Sequence, residues 1–282
     1  MLTMASMLAC SHTLEAFVDS QVRIPGGHVV PSKCIVGLTN GGIYNASAYQ
    51  LPVGCHPSDA QLAAPEIQIY AADVHLESQA PLTSFTADWV VPPLPSKRGG
   101  LSRQVVYFWP GFKASAPEMG YPVLQPVLQY GEHLGPNWAL QSWFVDAKDR
   151  WKFPVVTAPS VDVKPGHRIS SSMQLSSDGL TWTVSGTNKD TGHNSTLSIT
   201  YSRAGKTDYK YAMLVNENIN VNSDCLRMPA ATGLTFTNLT VNGNATPPWV
   251  TRANCAGNPK CDCGNRAAVA SNGDVTISWR DK

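Results

Sequence analysis

Thr86-Ala87-Asp88-Trp89-Val90-Val91, stopped by Pro92-Pro93, and Gln104-Val105-Val106-Tyr107-Phe108-Trp109, stopped by Pro110-Gly111, set the texture of the chain. Both are short runs of β-branched and aromatic residues closed by turn formers, which predicts strands. The texture continues outward through Val127-Leu128-Gln129-Tyr130 and through Ala139-Leu140-Gln141-Ser142-Trp143-Phe144-Val145. Val161-Asp162-Val163, a Lys164-Pro165-Gly166 turn and Arg168 to Leu175 predict a hairpin with alternating faces. Leu180 to Ser185 and Ser195 to Tyr201 flank a turn at Asn188 to Gly192, and Tyr211 to Val215, Leu234 to Val241 and Asp274 to Trp279 complete the set. About ten strands at this spacing predict an all-β chain, an antiparallel two-sheet β-sandwich or jelly roll. No segment longer than about ten residues carries a clean helical period.

Composition agrees. Of 282 residues, 43% are hydrophobic, enough for a sizeable core, but only 15% are charged, against ~25% in an average globular protein. Neutral polar residues fill the gap, with 25 serines, 20 threonines and 16 asparagines. Coiled coils and helix bundles need Ala, Glu, Lys and Leu instead. The net charge of +1 leaves no electrostatic footprint for nucleic acid or an anionic membrane. No run approaches the ~18 apolar residues of a spanning helix. The expected partner is therefore neither nucleic acid nor membrane, and the expected state is a soluble monomer.

Residues 1–75 follow no period, because Pro25-Gly26-Gly27, Asn40-Gly41-Gly42 and Pro52-Val53-Gly54 interrupt them. They read as an accessory extension or pro-region ahead of a sandwich domain spanning residues 76–282. The cysteines fall at 10, 34, 55, 225, 255, 261 and 263. Cys261-Asp262-Cys263 is too tight for paired zinc ligands, and no His lies nearby. Disulfides are expected instead, which implies an oxidising compartment. The last four cysteines allow three pairings, and Cys34 with Cys55 could close a separate loop, leaving Cys10 odd. The first sixteen residues lack a basic n-region, so secretion is expected from composition and cysteines despite a weak signal peptide. Four sequons, at Asn45, Asn194, Asn238 and Asn244, become glycosylation acceptors only in a secreted eukaryotic protein.

Several chemistries are missing. There is no G-x-S-x-G elbow, P-loop, G-x-G-x-x-G, H-E-x-x-H or EF-hand loop. The seven histidines are scattered without metal spacing. No metal site and no cofactor are expected, and an enzyme built here would use carboxylates, amides and water.

An ordered series of motifs resembles the glutamic peptidases of the eqolisin, or scytalidoglutamic, family. Trp89-Val90-Val91-Pro92 resembles the family's strand ending in V-P, and Phe108-Trp109-Pro110-Gly111 its W-V-G segment. Val123-Leu124-Gln125-Pro126-Val127 resembles its I-L-Q-T-G strand, and Trp138-Ala139-Leu140-Gln141-Ser142-Trp143-Phe144 its aromatic W-Y-E-W-Y-P strand. The order continues with Val163 to Ile169 at the S-E-G-D-x-I turn, Trp182-Thr183-Val184 with Asn188 to Gly192 at the A-T-V hairpin, Tyr211 to Glu217 at the A-E-F-I-I-E strand, and Thr235 to Asn238 near the end. The resemblance covers about residues 80–245 and implies a concanavalin-like sandwich with a Gln/Glu dyad on its concave face.

Carried over, the resemblance implies Gln125 as the family glutamine, with Gln129 of Val127-Leu128-Gln129-Tyr130-Gly131 as the alternative. It implies Glu217 as the catalytic glutamate, although an ungapped match puts Asn216 there, and a one-residue slip reverses a strand's face. Two groups depart from the family pattern, since Lys113 stands where the family has Asp and Ser142 replaces the Glu of the aromatic strand. A Glu on a face lined by Tyr107, Trp109 and Trp143 would be partly desolvated, raising its pKa. These aromatics and Gln129 are the candidate substrate-binding residues. The expected activity is a secreted endopeptidase on polypeptide, with Glu217 activating water and the glutamine amide donating to the oxyanion. The alternative is a non-catalytic sandwich binding carbohydrate or peptide on the aromatic face.

Overall fold

A computed structural model describes residues 21–26, 29–48, 50–55, 69–97, 104–114, 122–131, 135–146, 154–221, 224–253 and 263–280. Among them every regular element is a strand, apart from short 3-10 turns. The N-terminal strands are β1 (Gln21–Arg23), β2 (Val29–Pro31), β3 (Ile35–Gly37), β4 (Gly42–Asn45) and β5 (Ile69–Glu77). The long central strands are β6 (Ser84–Val90), β7 (Val105–Lys113), β8 (Val123–Gly131) and β9 (Trp138–Val145), followed by the short β10 (Val155–Thr157) and β11 (Val161–Val163). Then come β12 (Arg168–Leu175), β13 (Thr181–Asn188), β14 (Asn194–Thr200), β15 (Tyr211–Ile219), β16 (Gly233–Val241), β17 (Val250–Arg252), β18 (Arg266–Val269) and β19 (Val275–Ser278).

The strands form two facing sheets. One runs β17-β5-β15-β7-β8-β9-β10-β3, with β11 also on β9, and the other runs β18-β19-β16-β6-β12-β13-β14-β4. β1 and β2 make a separate two-stranded ribbon. The predicted two-sheet sandwich is therefore present, and nearly all its pairings are antiparallel. The exceptions are β3 on β10 and β4 on β14, both parallel. Each comes from the stretch 1–75, which supplies one edge strand to each sheet.

Alternation in the sequence sets the second sheet. Thr181-Trp182-Thr183-Val184-Ser185 places Trp182 and Val184 inward and the hydroxyls outward. Trp89, Ile169, Met173, Leu197 and Phe236 enter the same core. They meet Val106, Phe108, Phe112, Leu124, Leu128, Leu140 and Phe144 from the first sheet. The approach is close at Gly186, where a Cβ would fall 2.9 Å from the Leu140 side chain.

Two expectations need correction. The hairpin expected between Val161–Val163 and Arg168–Leu175 does not form, because β11 pairs with β9 in one sheet and β12 pairs with β6 and β13 in the other. The turn at Lys164-Pro165-Gly166 thus crosses between sheets. Pro110-Gly111 does not end its strand either. β7 runs through to Lys113, and the β7–β8 register skips from Phe108↔Leu128 to Phe112↔Leu124, in step on both sides. Proline removes one donor from a ladder, and the continuous pairing of β15 on the other side carries the strand across. Pro126 is held inside β8 in the same way.

Two disulfides are present, Cys34–Cys55 and Cys225–Cys263. Cys10, Cys255 and Cys261 lie outside the described residues. No helix among the described residues is long and apolar enough to cross a membrane.

Candidate active site

The first sheet has a second face, turned away from the sandwich core, and that face is also buried. Every residue of β7, β8 and β9 is buried. Strand parity divides them. Even positions such as Phe108, Leu124 and Leu128 enter the sandwich core, whereas Val105, Tyr107, Trp109, Val123, Val127 and Trp143 join a second apolar cluster on the outer face. Met213, Val215 and Ile219 of β15 belong to that outer cluster. Its cover comes from Val22, Ile24 and Val30 and from the Cys34–Cys55 disulfide.

Asn216 and Glu217 fall on opposite faces of β15. β15 pairs with β7 without interruption, Asn216 opposite Phe108 and Glu217 opposite Tyr107. Asn216 therefore faces the core, where its Nδ2 donates to Asn265 Oδ1 at 3.0 Å. Glu217 faces the outer cluster. On its other side the β15–β5 register shifts between Asn216 and Glu217, and such bulges re-aim a side chain.

Glu217 is completely buried. Its Oε1 accepts the Gly26 backbone N–H at 2.9 Å, and its Oε2 accepts the Trp109 indole N–H at 3.2 Å. Gly111 makes the Trp109 position possible, since a Cβ there would fall 2.8 Å from the indole ring. Desolvation pushes the Glu217 pKa up to about 7. The two N–H donors and the positive charges of Lys113 and Arg23 oppose that rise without cancelling it. Asp73, also fully buried, differs in being ion-paired, with Arg252 Nε at 3.1 Å and His75 Nδ1 at 3.6 Å from its Oδ1. Of these two buried carboxylates, Glu217 is the one held by neutral N–H donors.

All six residues singled out in the sequence share the outer face, but not one row. Glu217 lies opposite Tyr107, and Tyr107 lies opposite Gln129. That row crosses two strand spacings, about 10 Å between the outer Cα atoms. Gln125 lies opposite Trp143, four residues along β8 from Gln129, or about 13 Å at ~3.3 Å per residue. Both glutamines are buried, and the side-chain Oε1 of each has no hydrogen-bond partner among the described residues. Gln129 Nε2 makes a long contact of 3.3 Å to the Gly131 carbonyl. Lys113 is buried, and Ser142 faces away from this site, bonding to Ser195 of the opposite sheet through both its N–H and its hydroxyl.

Sequence reasoning missed Arg23, Ile24 and Gly26. Tyr107 Oη donates to the Arg23 carbonyl at 3.2 Å, and Ile24 is fully buried. The signal available was the doubly apolar character of β7 to β9, which demands a second cover, but nothing in the sequence says which segment supplies it. Among the described residues no group of three or more His, Cys, Asp or Glu side chains is placed to hold a metal ion.

No protein-family model matches the chain, and no curated protein matches it. Solved structures do resemble it at a distance. The crystal structure of scytalido-glutamic peptidase with a peptide-based transition-state analogue is 16% identical with a TM-score of 0.49, covering 74% of this chain and 97% of that one. SCP-B, a member of the eqolisin family of peptidases in complex with the tripeptide Ala-Ile-His, is 14% identical with a TM-score of 0.48 over the same shares. Tailspike protein 2 from Escherichia coli O157:H7 bacteriophage CAB120 is 10% identical with a TM-score of 0.31, covering 60% of this chain and 21% of that one.

Proposed function

We propose that this protein is a glutamic-type endopeptidase of an oxidising, extracellular compartment. The carrying observation is Glu217, a buried carboxylate with a pKa raised to about 7, both of whose oxygens accept hydrogen bonds from neutral N–H donors. The ordered motif resemblance across residues 80–245 supports the same reading, and the two disulfides support the compartment.

The chemistry needs no nucleophilic side chain. Ionised Glu217 takes a proton from a water as its oxygen attacks the scissile carbonyl carbon. The carbonyl oxygen becomes an oxyanion and accepts a hydrogen bond from a side-chain amide N–H. Glu217 then gives the proton to the leaving nitrogen, the C–N bond breaks, and a carboxylic acid and an amine depart. Gln129, rather than Gln125, is proposed as the amide donor. The support is its strand row with Glu217 and Tyr107. Trp109 holds the carboxylate by its indole N–H.

Digestion of a denatured protein mixture at pH 3, 5 and 7, read by peptide mass spectrometry, tests this. The wild type is expected to generate specific cuts that vanish with Glu217→Gln and fall about 10²-fold or more with Gln129→Ala, the usual loss for one oxyanion donor. Cutting by Glu217→Gln at the wild-type rate overturns the assignment.

A further inference from the structure

The peptidase site proposed above is occupied by the protein's own chain, and the form of that occupation carries a second conclusion, which rests on that reading. Two polar contacts between the N-terminal strap and the site are made by strap backbone. The Arg23 carbonyl accepts from Tyr107 Oη, and the Gly26 N–H donates to Glu217 Oε1. Main-chain contacts of this kind are open to any extended polypeptide. Between them one aliphatic side chain, Ile24, is fully buried in the outer apolar cluster with Tyr107 and Trp109. Gly26 has φ of +100°, a conformation L side chains rarely adopt, so the chain turns away as soon as the contact with Glu217 is made.

We propose that residues 22–26 are a resident peptide ligand of the cleft, that Tyr107 is the donor gripping the carbonyl a substrate would present there, and that the strap holds hydrolysis to a low rate until it lifts. The substrate class follows from the strap. It is an extended polypeptide with a bulky aliphatic residue directly after the carbonyl held by Tyr107, as Ile24 follows Arg23. The strap is held and not cut because the Gly26 N–H takes the place on Glu217 that an attacking water would need. Tyr107 lies opposite both Glu217 and Gln129 in the strand row, so its hydroxyl and the Gln129 amide reach the same stretch of bound backbone. Release does not require dismantling the sandwich. Among the described residues β1 and β2 pair only with each other, whereas β3 and β4 belong to the two sheets, so the removable part ends ahead of the Cys34–Cys55 disulfide.

The test uses the full chain with Ile24→Asp, which places a charge in the apolar cluster, and separately with Gly26→Pro, which deletes the N–H and cannot adopt the positive φ. Thermal melting confirms that each variant is folded, and either alone suffices. Two readouts are taken. The first is hydrolysis of a denatured protein, expected to rise at least tenfold in both variants over the wild type. The second is binding of an end-blocked synthetic peptide with the sequence of residues 21–31. It is expected to bind the opened variants and not the wild type, and to bind about fivefold to tenfold more weakly when Tyr107→Phe is added, the loss of one neutral hydrogen bond. Peptide that binds wild type and opened variants alike, or binds neither, overturns the assignment, and so does measurable hydrolysis at the same rate by wild type and variants. Peptide binding confined to the opened forms, with no hydrolysis by any of them, sustains the strap as ligand while removing the peptidase reading.

Discussion

The two sheets of this sandwich treat their outer faces in opposite ways. The second sheet shows water a ladder of hydroxyls, with Ser185 and Thr196 at 2.7 Å, Thr86 and Thr240 at 2.8 Å, and Thr183 and Ser198 at 3.1 Å across neighbouring strands. The first sheet carries Tyr107, Trp109, Val127 and Trp143 on its outer face, and all are buried. An antiparallel sheet normally leaves one face to solvent. A sheet apolar on both faces must be covered, and here the cover is the N-terminal segment. The cover also sets the state of Glu217, because a carboxylate open to water could not keep the raised pKa. Burial is the first cause of that shift.

The contrast predicts where substitutions act. In the strap-opened Ile24→Asp chain, adding Glu217→Gln is expected to remove hydrolysis by about 10³-fold, the scale of a lost general acid–base. Gln129→Ala is expected to cost about 10²-fold, while Gln125→Ala, one row set away, changes the rate by no more than about threefold at steady state. A reversed order of these two losses would break the row assignment. Steady-state rates across the series measure both.

Stability should depend on pH through Glu217 with a definite sign. Its pKa is raised from 4.5 to about 7 in the folded chain. Below pH 4.5 both states hold the proton. Between pH 4.5 and 7 the unfolded chain ionises and the folded chain resists, so wild-type stability falls as pH rises, by on the order of 3 kcal/mol at 1.36 kcal/mol per pKa unit. In Glu217→Gln this contribution is absent. Urea unfolding at pH 4.5 and 7.5 for both chains measures the difference, and parallel pH profiles would contradict it.

Opening the strap should also move the site's own titration. Water admitted by Ile24→Asp relieves the desolvation of Glu217, so the alkaline-going rise in its rate is expected to sit below pH 7, toward the ordinary carboxylate range. A pH–rate profile reads it, and a limb that stays near 7 would mean the cover is not what raises the pKa. The smallest effect belongs to the open sheet. Thr183→Val should shift stability by less than about 1 kcal/mol, the scale of a cross-strand pair, and leave hydrolysis unchanged in the same assay.

Much of the sandwich was legible in the sequence. Period-two alternation at Thr181 to Ser185 named both the strand and its outward face, and the aromatic runs at 105–109 and 138–144 named the central strands. Pro110 and Val161–Val163 were misread because pairing partners decide them. A proline is tolerated where the other neighbour carries the ladder, and a three-residue strand goes to whichever sheet has a free edge. The six candidates share a face, and period-two parity within each strand was enough to expect that. The choice between Gln125 and Gln129 was not legible, because both are odd-numbered on one strand and parity cannot separate them. Register across β7 puts Gln129, and not Gln125, in the row of Tyr107 and Glu217. The strap was illegible because Val22-Arg23-Ile24-Pro25-Gly26 carries no pattern that says which surface it covers.

The most direct measurement compares Ile24→Asp with Ile24→Asp/Glu217→Gln in the digestion of a denatured protein mixture at pH 3, 5 and 7, with cut sites read by mass spectrometry. The account predicts specific cleavage by the first chain, after bulky aliphatic or adjacent positions along the strap-like register, and none by the second. Equal cleavage by both chains, or none by either, would contradict it.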